Sequence, residues 1–176
     1  GQTLIGVNGK INPNATLGNV IGGYMVKPDN WADNAYRMAK AVESVTGASA
    51  DNVVVCSTGV IGQQLPVEKI EAKIQELKNG LSKEGHKEAR VAIMTTDTQY
   101  KECAIEFNVG GKTCYMGTMC KGSGMIHINM GTMLSFVTTD CAVSSEMLQK
   151  ALSSDIENTF NMISIDGDTS TNDMVC

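Results

Sequence analysis

Lys101-Glu102-Cys103-Ala104-Ile105-Glu106-Phe107-Asn108-Val109-Gly110-Gly111-Lys112-Thr113-Cys114-Tyr115-Met116-Gly117-Thr118 alternates apolar and polar side chains up to a pair of glycines and then returns. Cys103, Ile105, Phe107 and Val109 share one face, and Glu102, Glu106 and Asn108 share the other. A period of two marks a half-buried strand, and Gly110-Gly111 supplies the positive φ angles that a two-residue hairpin turn needs. That turn predicts the register: Phe107 faces Cys114 and Cys103 faces Thr118, so no disulfide is expected within the hairpin.

Working outward, strands and helices interleave. Downstream, Ser135 to Val137 reads as a strand, and a helix from about Ser145 carries Met147, Leu148, Ala151 and Leu152, with its register running loosely on to Ile156 and Phe160. Met162-Ile163-Ser164-Ile165 reads as a last strand. Upstream, Val91-Ala92-Ile93-Met94 and Val53-Val54-Val55-Cys56 are short apolar runs of the kind that form buried strands. Gly80 to Arg90 reads as a polar connection. Pro66 opens a helix whose stripe is Val67, Ile70, Ile74, Leu77 and Leu81. Asp29 or Asn30 caps another, with Trp31, Ala35, Met38, Val42 and Val45 on one face and Gly47 beyond its end. The first thirty residues, rich in Gly and Pro, read as loops around one short strand. Interleaved strands and helices with a hairpin among them predict an α/β fold, with α+β as the alternative, built on a mixed sheet with flanking helices.

Composition narrows the function. At 176 residues the chain is sized for one domain, or for one domain and a piece of another. Fourteen Lys and Arg against nineteen Asp and Glu give a net charge of −5, which argues against a nucleic-acid-binding surface. No apolar run approaches the roughly 20 residues that span a bilayer, so no membrane is expected. The first residues lack the basic and apolar regions of a secretory signal. The six cysteines show no Cys-x-x-Cys spacing and read as reduced thiols of a cytosol-like compartment. Asn14-Ala15-Thr16, a formal glycosylation sequon, is read as chance.

Several motifs reduce to plain structure. Gly111-Lys112-Thr113 suggests a phosphate loop, but Glu106 stands where that motif needs glycine, and the lysine falls in a hairpin. Asp166-Gly167-Asp168 offers two carboxylates for a divalent metal, yet reads better as a polar turn at a strand end, so no metal is expected. His86 sits among charges and His127 beside a Gly-rich segment, and neither suggests an imidazole base. Gly131-Thr132 offers a different chemistry. A threonine at a chain start can use its own α-amine, with a pKa near 8, as the base for its hydroxyl. Reaching that state requires cutting the Gly131–Thr132 bond, and a glycine leaves that carbonyl uncrowded.

Lys121-Gly122-Ser123-Gly124-Met125-Ile126, Asn129-Met130-Gly131-Thr132-Met133-Leu134 and Thr138-Thr139-Asp140 together resemble the self-cleavage segment of the ornithine acetyltransferases, the bifunctional glutamate N-acetyltransferases. Ser57-Thr58-Gly59-Val60-Ile61-Gly62, Ala92 to Thr98 and Asp166 to Asp173 are similar to further blocks of that family, in the same order. The resemblance covers about residues 50–176 and implies the family's layered sandwich fold. It implies that Thr132 cuts the chain before itself and then carries an acetyl group. Thr58 and Gly59 would form the oxyanion hole, Lys121 would hold a substrate carboxylate, and Thr95, with its neighbour Thr96, would bind substrate.

The implied reaction moves acetyl from N-acetylornithine to glutamate in arginine biosynthesis, with acetyl-CoA as a donor in some members and no resident cofactor. The implied partners are the two cleaved pieces, an α-chain-like 1–131 and the start of a β-chain-like 132–176 within one structural domain, assembled as two α and two β chains. The implied compartment is the cytoplasm, or the mitochondrial matrix in a eukaryote. Ile128 replaces a usual proline and Gly131 a usual alanine, and family members are about twice as long, so the chain reads as a fragment. A non-catalytic domain of the same fold and an amidohydrolase with the same nucleophile are the alternatives.

Overall fold

The computed structural model describes residues 6, 7, 10, 11, 31–58, 64–127, 133–169 and 173–176. Strands β1 (Gly6–Val7) and β2 (Lys10–Ile11) pair with each other. Helices α1 (Trp31–Thr46) and α2 (Val67–Asn79) follow, then α3 (His86–Ala92). The hairpin strands are β3 (Lys101–Val109) and β4 (Lys112–Lys121). After them come β5 (Leu134–Thr139), α4 (Ser145–Asp155) and β6 (Met174–Val175). The described strands β3 to β6 form one sheet in the order β3-β4-β5-β6. Its first two pairings are antiparallel and β5-β6 is parallel, so the sheet is mixed, as expected.

The hairpin keeps the expected register, with Phe107 opposite Cys114 and Cys103 opposite Thr118. Gly110 and Gly111 take φ of 56° and 77°, which side chains with a Cβ rarely adopt. All six cysteines are free thiols. The two long helices also lie where expected. Gly47, at φ 76°, ends α1, and the Arg37 guanidinium grips Glu71 at 2.6 and 2.9 Å to join α1 to α2. Ser144 caps α4 by accepting from the Met147 N–H at 3.3 Å. Gly6–Val7 and Lys10–Ile11 make two short strands where one was expected; Asp29, Asn30 and the sequon lie outside the described residues.

Three expected strands are not strands. Val91 and Ala92 belong to α3, and Ile93 continues its ladder by donating to the Ala89 carbonyl at 3.1 Å. The expected polar connection 80–90 therefore contains the start of this helix. A four-residue apolar run carries no periodicity that separates helix from strand, and the preceding charged turn settles it here. Val53 to Cys56 has no ladder partner among the described residues and instead lays Val54 and Cys56 against Leu134 and Met174. Met162 ends a 3₁₀ turn, and Ile163 to Ile165 stays exposed. The α2 stripe also fades: Val67 is fully buried, while Leu77 and Leu81 are exposed.

Two clusters of buried side chains sit at the β5-β6 end of the sheet, while Ala35, Met38, Ala39, Ala50 and Val67 are buried around α1 and α2. Leu134 and Met174 pack with Val54, Cys56, Phe136 and Cys176. Ile156 and Val175 pack with Val137, Leu152 and Phe160, which docks the end of α4 on the sheet.

Candidate functional site

Leu134 is the centre of the arrangement. It opens β5 two residues after Thr132, pairs with Lys121 at the end of β4, and pairs with Met174 of β6 on its other side. The end of one strand, the start of the next and the C-terminal segment therefore meet beside the expected cleavage junction. Gly131 and Thr132 themselves lie outside the described residues, as does Gly59. Thr58 is half-buried and follows the run whose Val54 and Cys56 cover Leu134 and Met174.

Both sides of segment 128–132 are tied to the C-terminal segment. Before it, the Asp166 carboxylate accepts from the Met125 N–H at 2.6 Å and the Ile126 N–H at 3.1 Å, and Ile165 donates to the Ile126 carbonyl at 2.8 Å. Met125 has a φ of 53°, a conformation that costs energy for a side chain with a Cβ, and the Asp166 bond holds it there. His127 shares a hydrogen bond with Ser164 at 2.9 Å. After the segment, Asp173 accepts from the Met133 N–H at 2.7 Å, and Met174 donates to the Met133 carbonyl at 3.0 Å. Asp166-Gly167-Asp168 is thus a turn that clasps a neighbouring loop. Among the described residues no three His, Cys, Asp or Glu side chains are grouped to hold a metal.

Lys121 is 3% exposed, a rare degree of burial for a lysine. Burial pulls its ammonium below the ordinary lysine range, and the Asp97 and Asp173 charges act against that pull. The Asp97 side chain is fully buried. Burial alone would raise its carboxyl. It is nevertheless held down at about 2 by three donors: Lys101 Nζ at 2.6 Å, Gly122 N–H at 2.8 Å and Thr95 N–H at 3.3 Å. Asp97 thereby latches the turn carrying Thr95 and Thr96 onto the residues after β4. Thr96 adds a hydroxyl–hydroxyl bond to Ser123 at 2.7 Å.

Asp173 is 3% exposed, and burial pushes its carboxyl up to about 6 against the pull of the Met133 N–H that it accepts. Its second oxygen is buried and accepts nothing among the described residues. Thr95, Thr96 and Lys121 thus gather around Gly122 and Ser123. Sequence reasoning quoted Asp97 and Asp173 inside its motif blocks and gave neither a role. Their signal was an acidic residue in a block that otherwise carries small hydroxyl side chains.

The cysteines near this centre are poor nucleophiles. Burial pushes the Cys56 thiol up to about 12, with Cys176 beside it adding to the effect, and burial also raises Cys120 and Cys176. The block Thr138-Thr139-Asp140 serves the sheet instead. Thr138 and Thr139 donate to the carbonyls of Gly117 and Tyr115, and Asp140 accepts from the Tyr115 N–H at 2.8 Å. No helix among the described residues is long and apolar enough to cross a membrane.

Comparison with known proteins adds the family. The ArgJ family model matches residues 23–176. The chain is similar to the arginine biosynthesis bifunctional protein ArgJ of Caldanaerobacter subterraneus, 52% identical over 80% of the chain and 35% of that protein. It is also similar to the ArgJ protein of Bacillus subtilis, 50% identical over 81% of the chain and 34% of that protein. Among solved structures, the arginine biosynthesis bifunctional protein ArgJ of Bacillus halodurans superposes with a TM-score of 0.54 at 35% identity, covering 64% of this chain and 58% of that one. The chain spans about a third of the length of the curated relatives it matches. With its matched blocks in order and a mixed sheet beneath them, the chain belongs to the ArgJ family.

Proposed function

We propose that the protein is a self-cleaving acetyltransferase with Thr132 as its nucleophile. The observation that carries this reading is the convergence on Leu134. Lys121 and Met174 flank it in the sheet, Asp173 holds the amide just before it, and the run leading to Thr58 covers it.

Cleavage is an N-to-O acyl shift. The Thr132 hydroxyl attacks the Gly131 carbonyl, its proton passes to the Thr132 nitrogen, and the C–N bond breaks to leave an ester. Water then cleaves the ester into a Gly131 carboxylate and a chain beginning at Thr132. The freed amine, with a pKa near 8 when unperturbed, becomes the base for transfer. It takes the hydroxyl proton as Oγ attacks the acetyl carbonyl of N-acetylornithine. Ornithine leaves with that proton, and the acetyl remains on Thr132. The glutamate amine attacks the ester, N-acetylglutamate forms, and the threonine hydroxyl is restored.

Thr58 and Gly59 donate to the tetrahedral oxyanion, a contribution of about 3 kcal/mol per donor in enzymes of this kind. Lys121 meets the substrate carboxylate, and Thr95 and Thr96 shape the substrate site. No resident cofactor takes part, and acetyl-CoA is a second candidate donor. The two pieces stay together as α and β chains, two of each, in the cytoplasm, as part of arginine biosynthesis.

The test is acylation. After incubation with N-acetylornithine, the peptide beginning at Thr132 gains one acetyl group, and glutamate then removes it as N-acetylglutamate. Release as acetate with glutamate present would make the protein an amidohydrolase. An unacylated Thr132 peptide would contradict the reading.

A further inference from the structure

The register of the sheet brings two cysteines together. Met116 pairs with Thr139, and each step back along β4 is a step forward along β5. Two steps put Cys114 opposite Cys141, just past the end of β5. Three bonds hold that end to Tyr115. The Asp140 N–H and the Thr139 hydroxyl donate to the Tyr115 carbonyl at 3.4 and 2.7 Å, and the Tyr115 N–H donates to the Asp140 carboxylate at 2.8 Å. Tyr115 and Asp140 are therefore the bonded pair of the ladder, and Cys114 and Cys141 beside them are a non-hydrogen-bonded pair. In such pairs the Cα atoms stand roughly 4.5 Å apart, inside the span of about 4.4–6.8 Å that a disulfide bridges.

The side chains agree with the ladder. The Cys114 and Cys141 thiols are in hydrogen-bonding contact, although both are free. Cys114 is buried, with Phe107 opposite it on β3, and Cys141 is half-buried. The other two cysteines of the hairpin face no cysteine: Cys103 pairs with Thr118, and Cys120 lies between Lys101 and Ser135.

We propose that Cys114 and Cys141 are a reversible disulfide site, closed by a small-molecule disulfide of the glutathione class. Cys141, the less buried, reacts first. Its sulfur loses a proton and attacks glutathione disulfide, whose S–S bond breaks to leave a mixed disulfide and one free glutathione. Cys114 then gives up its proton and attacks the Cys141 sulfur. The mixed S–S bond breaks, the Cys114–Cys141 bond forms and the second glutathione leaves. Two protein thiols are oxidised by two electrons, one glutathione disulfide is reduced to two thiols, and both protons end on these. Burial, with the Cys141 thiol beside it, raises the Cys114 thiol, which suits it to the second step, where the sulfur it attacks is already in contact. Reduced glutathione runs the same steps backwards, so the bond is transient in a reducing compartment.

The site straddles the Gly131–Thr132 bond. On the cleavage reading above, on which this consequence alone rests, Cys114 belongs to the α-chain-like piece and Cys141 to the β-chain-like piece. The disulfide then joins the two pieces covalently.

The test incubates the folded protein, expressed from its own gene, with excess glutathione disulfide, blocks the remaining thiols with iodoacetamide and digests with trypsin without reduction. The expected product, in most molecules, is peptide 113–121 linked to the peptide that ends at Lys150, with fragmentation placing the bond at Cys114 instead of Cys120. Cys120→Ser keeps the link and Cys141→Ser abolishes it. In protein unfolded by urea, no pair of cysteines is favoured. A folded parent without the linked peptide, or with another pair such as Cys56 and Cys176 linked in equal yield, overturns the proposal however either variant folds. Gels of the oxidised parent, run with and without reductant, separate this inference from the cleavage reading. Pieces joined without reductant and apart with it support both. A linked but uncut chain removes the cleavage reading and leaves this inference standing; cut pieces that run apart without reductant remove this inference alone.

Discussion

Strand β4 belongs to two regions of opposite character. At its start it faces β3 across a two-glycine turn, and along β3 every residue but Phe107 is exposed. At its end it faces β5, and through β5 a strand forty residues away: Leu134 pairs with both Lys121 and Met174. There Lys121, Asp173, Met174 and Val175 are all buried. The hairpin is made by neighbours in sequence and needs little burial to hold its register. The junction is made by distant segments and exists only when the core closes. Chemistry placed at such a junction inherits buried charges and a fixed backbone.

The difference can be broken most completely at the junction. Thr132→Ala is expected to abolish cleavage altogether, leaving one uncut chain, whereas a substitution on the exposed face of β3, such as Ile105→Ala, should leave cleavage untouched. Cleaved Thr132→Ala would move the nucleophile elsewhere.

Stability should separate the two ends almost as clearly. Met174→Ala removes a 1% exposed side chain from the Leu134 cluster, and a loss of about 2–5 kcal/mol is expected in denaturant unfolding. Ile105→Ala, at a side chain half open to solvent, should cost less than about 1 kcal/mol. Equal losses would mean that the hairpin face is covered in solution.

Asp97→Ala comes next. It strips the acceptor from Lys101, Gly122 and Thr95 and leaves two backbone amides without a partner, so a loss of about 2–3 kcal/mol is expected. Substrate binding through Thr95 and Thr96 should weaken with it, seen as a raised KM for N-acetylornithine.

The smallest effects are those of pH, and the two carboxylates act with opposite sign. Asp97 is held at about 2, below its ordinary 3.8, so its contribution is present above pH 4 and lost as pH falls from about 4 to 2. Asp173 is raised to about 6, so the protonated form is favoured in the fold and its contribution is lost as pH rises from about 4 through 6. Thermal unfolding of Asp173→Asn should therefore show no decline across pH 4 to 6 from this group, and a melting temperature at pH 8 no lower than the parent's. A lower one would mean that the charge, facing Lys121, stabilises the fold.

The same contrast explains what the sequence made legible. The Gly-Gly turn and the period of two were enough for the hairpin's register, and helical spacing with a glycine stop was enough for α1. Val53–Cys56 and Val91–Met94 were read as strands because both are short and apolar, a property they share with buried coil and with helix ends. A strand is defined by its neighbour, and four residues do not announce one. At the site, hydroxyl and lysine positions were visible through family motifs. Asp97 and Asp173 were not singled out, because what marks them is burial and an N–H partner far away in sequence. For Asp173 that partner is Met133, forty residues distant.

The intact mass of the purified protein under denaturing conditions tests the central claim most directly. Two pieces, one ending at Gly131 and the other beginning at Thr132, are the expected result, showing a nucleophile assembled and used. A single uncut chain after long incubation would contradict it, leaving an ArgJ-family fold without the chemistry proposed for it.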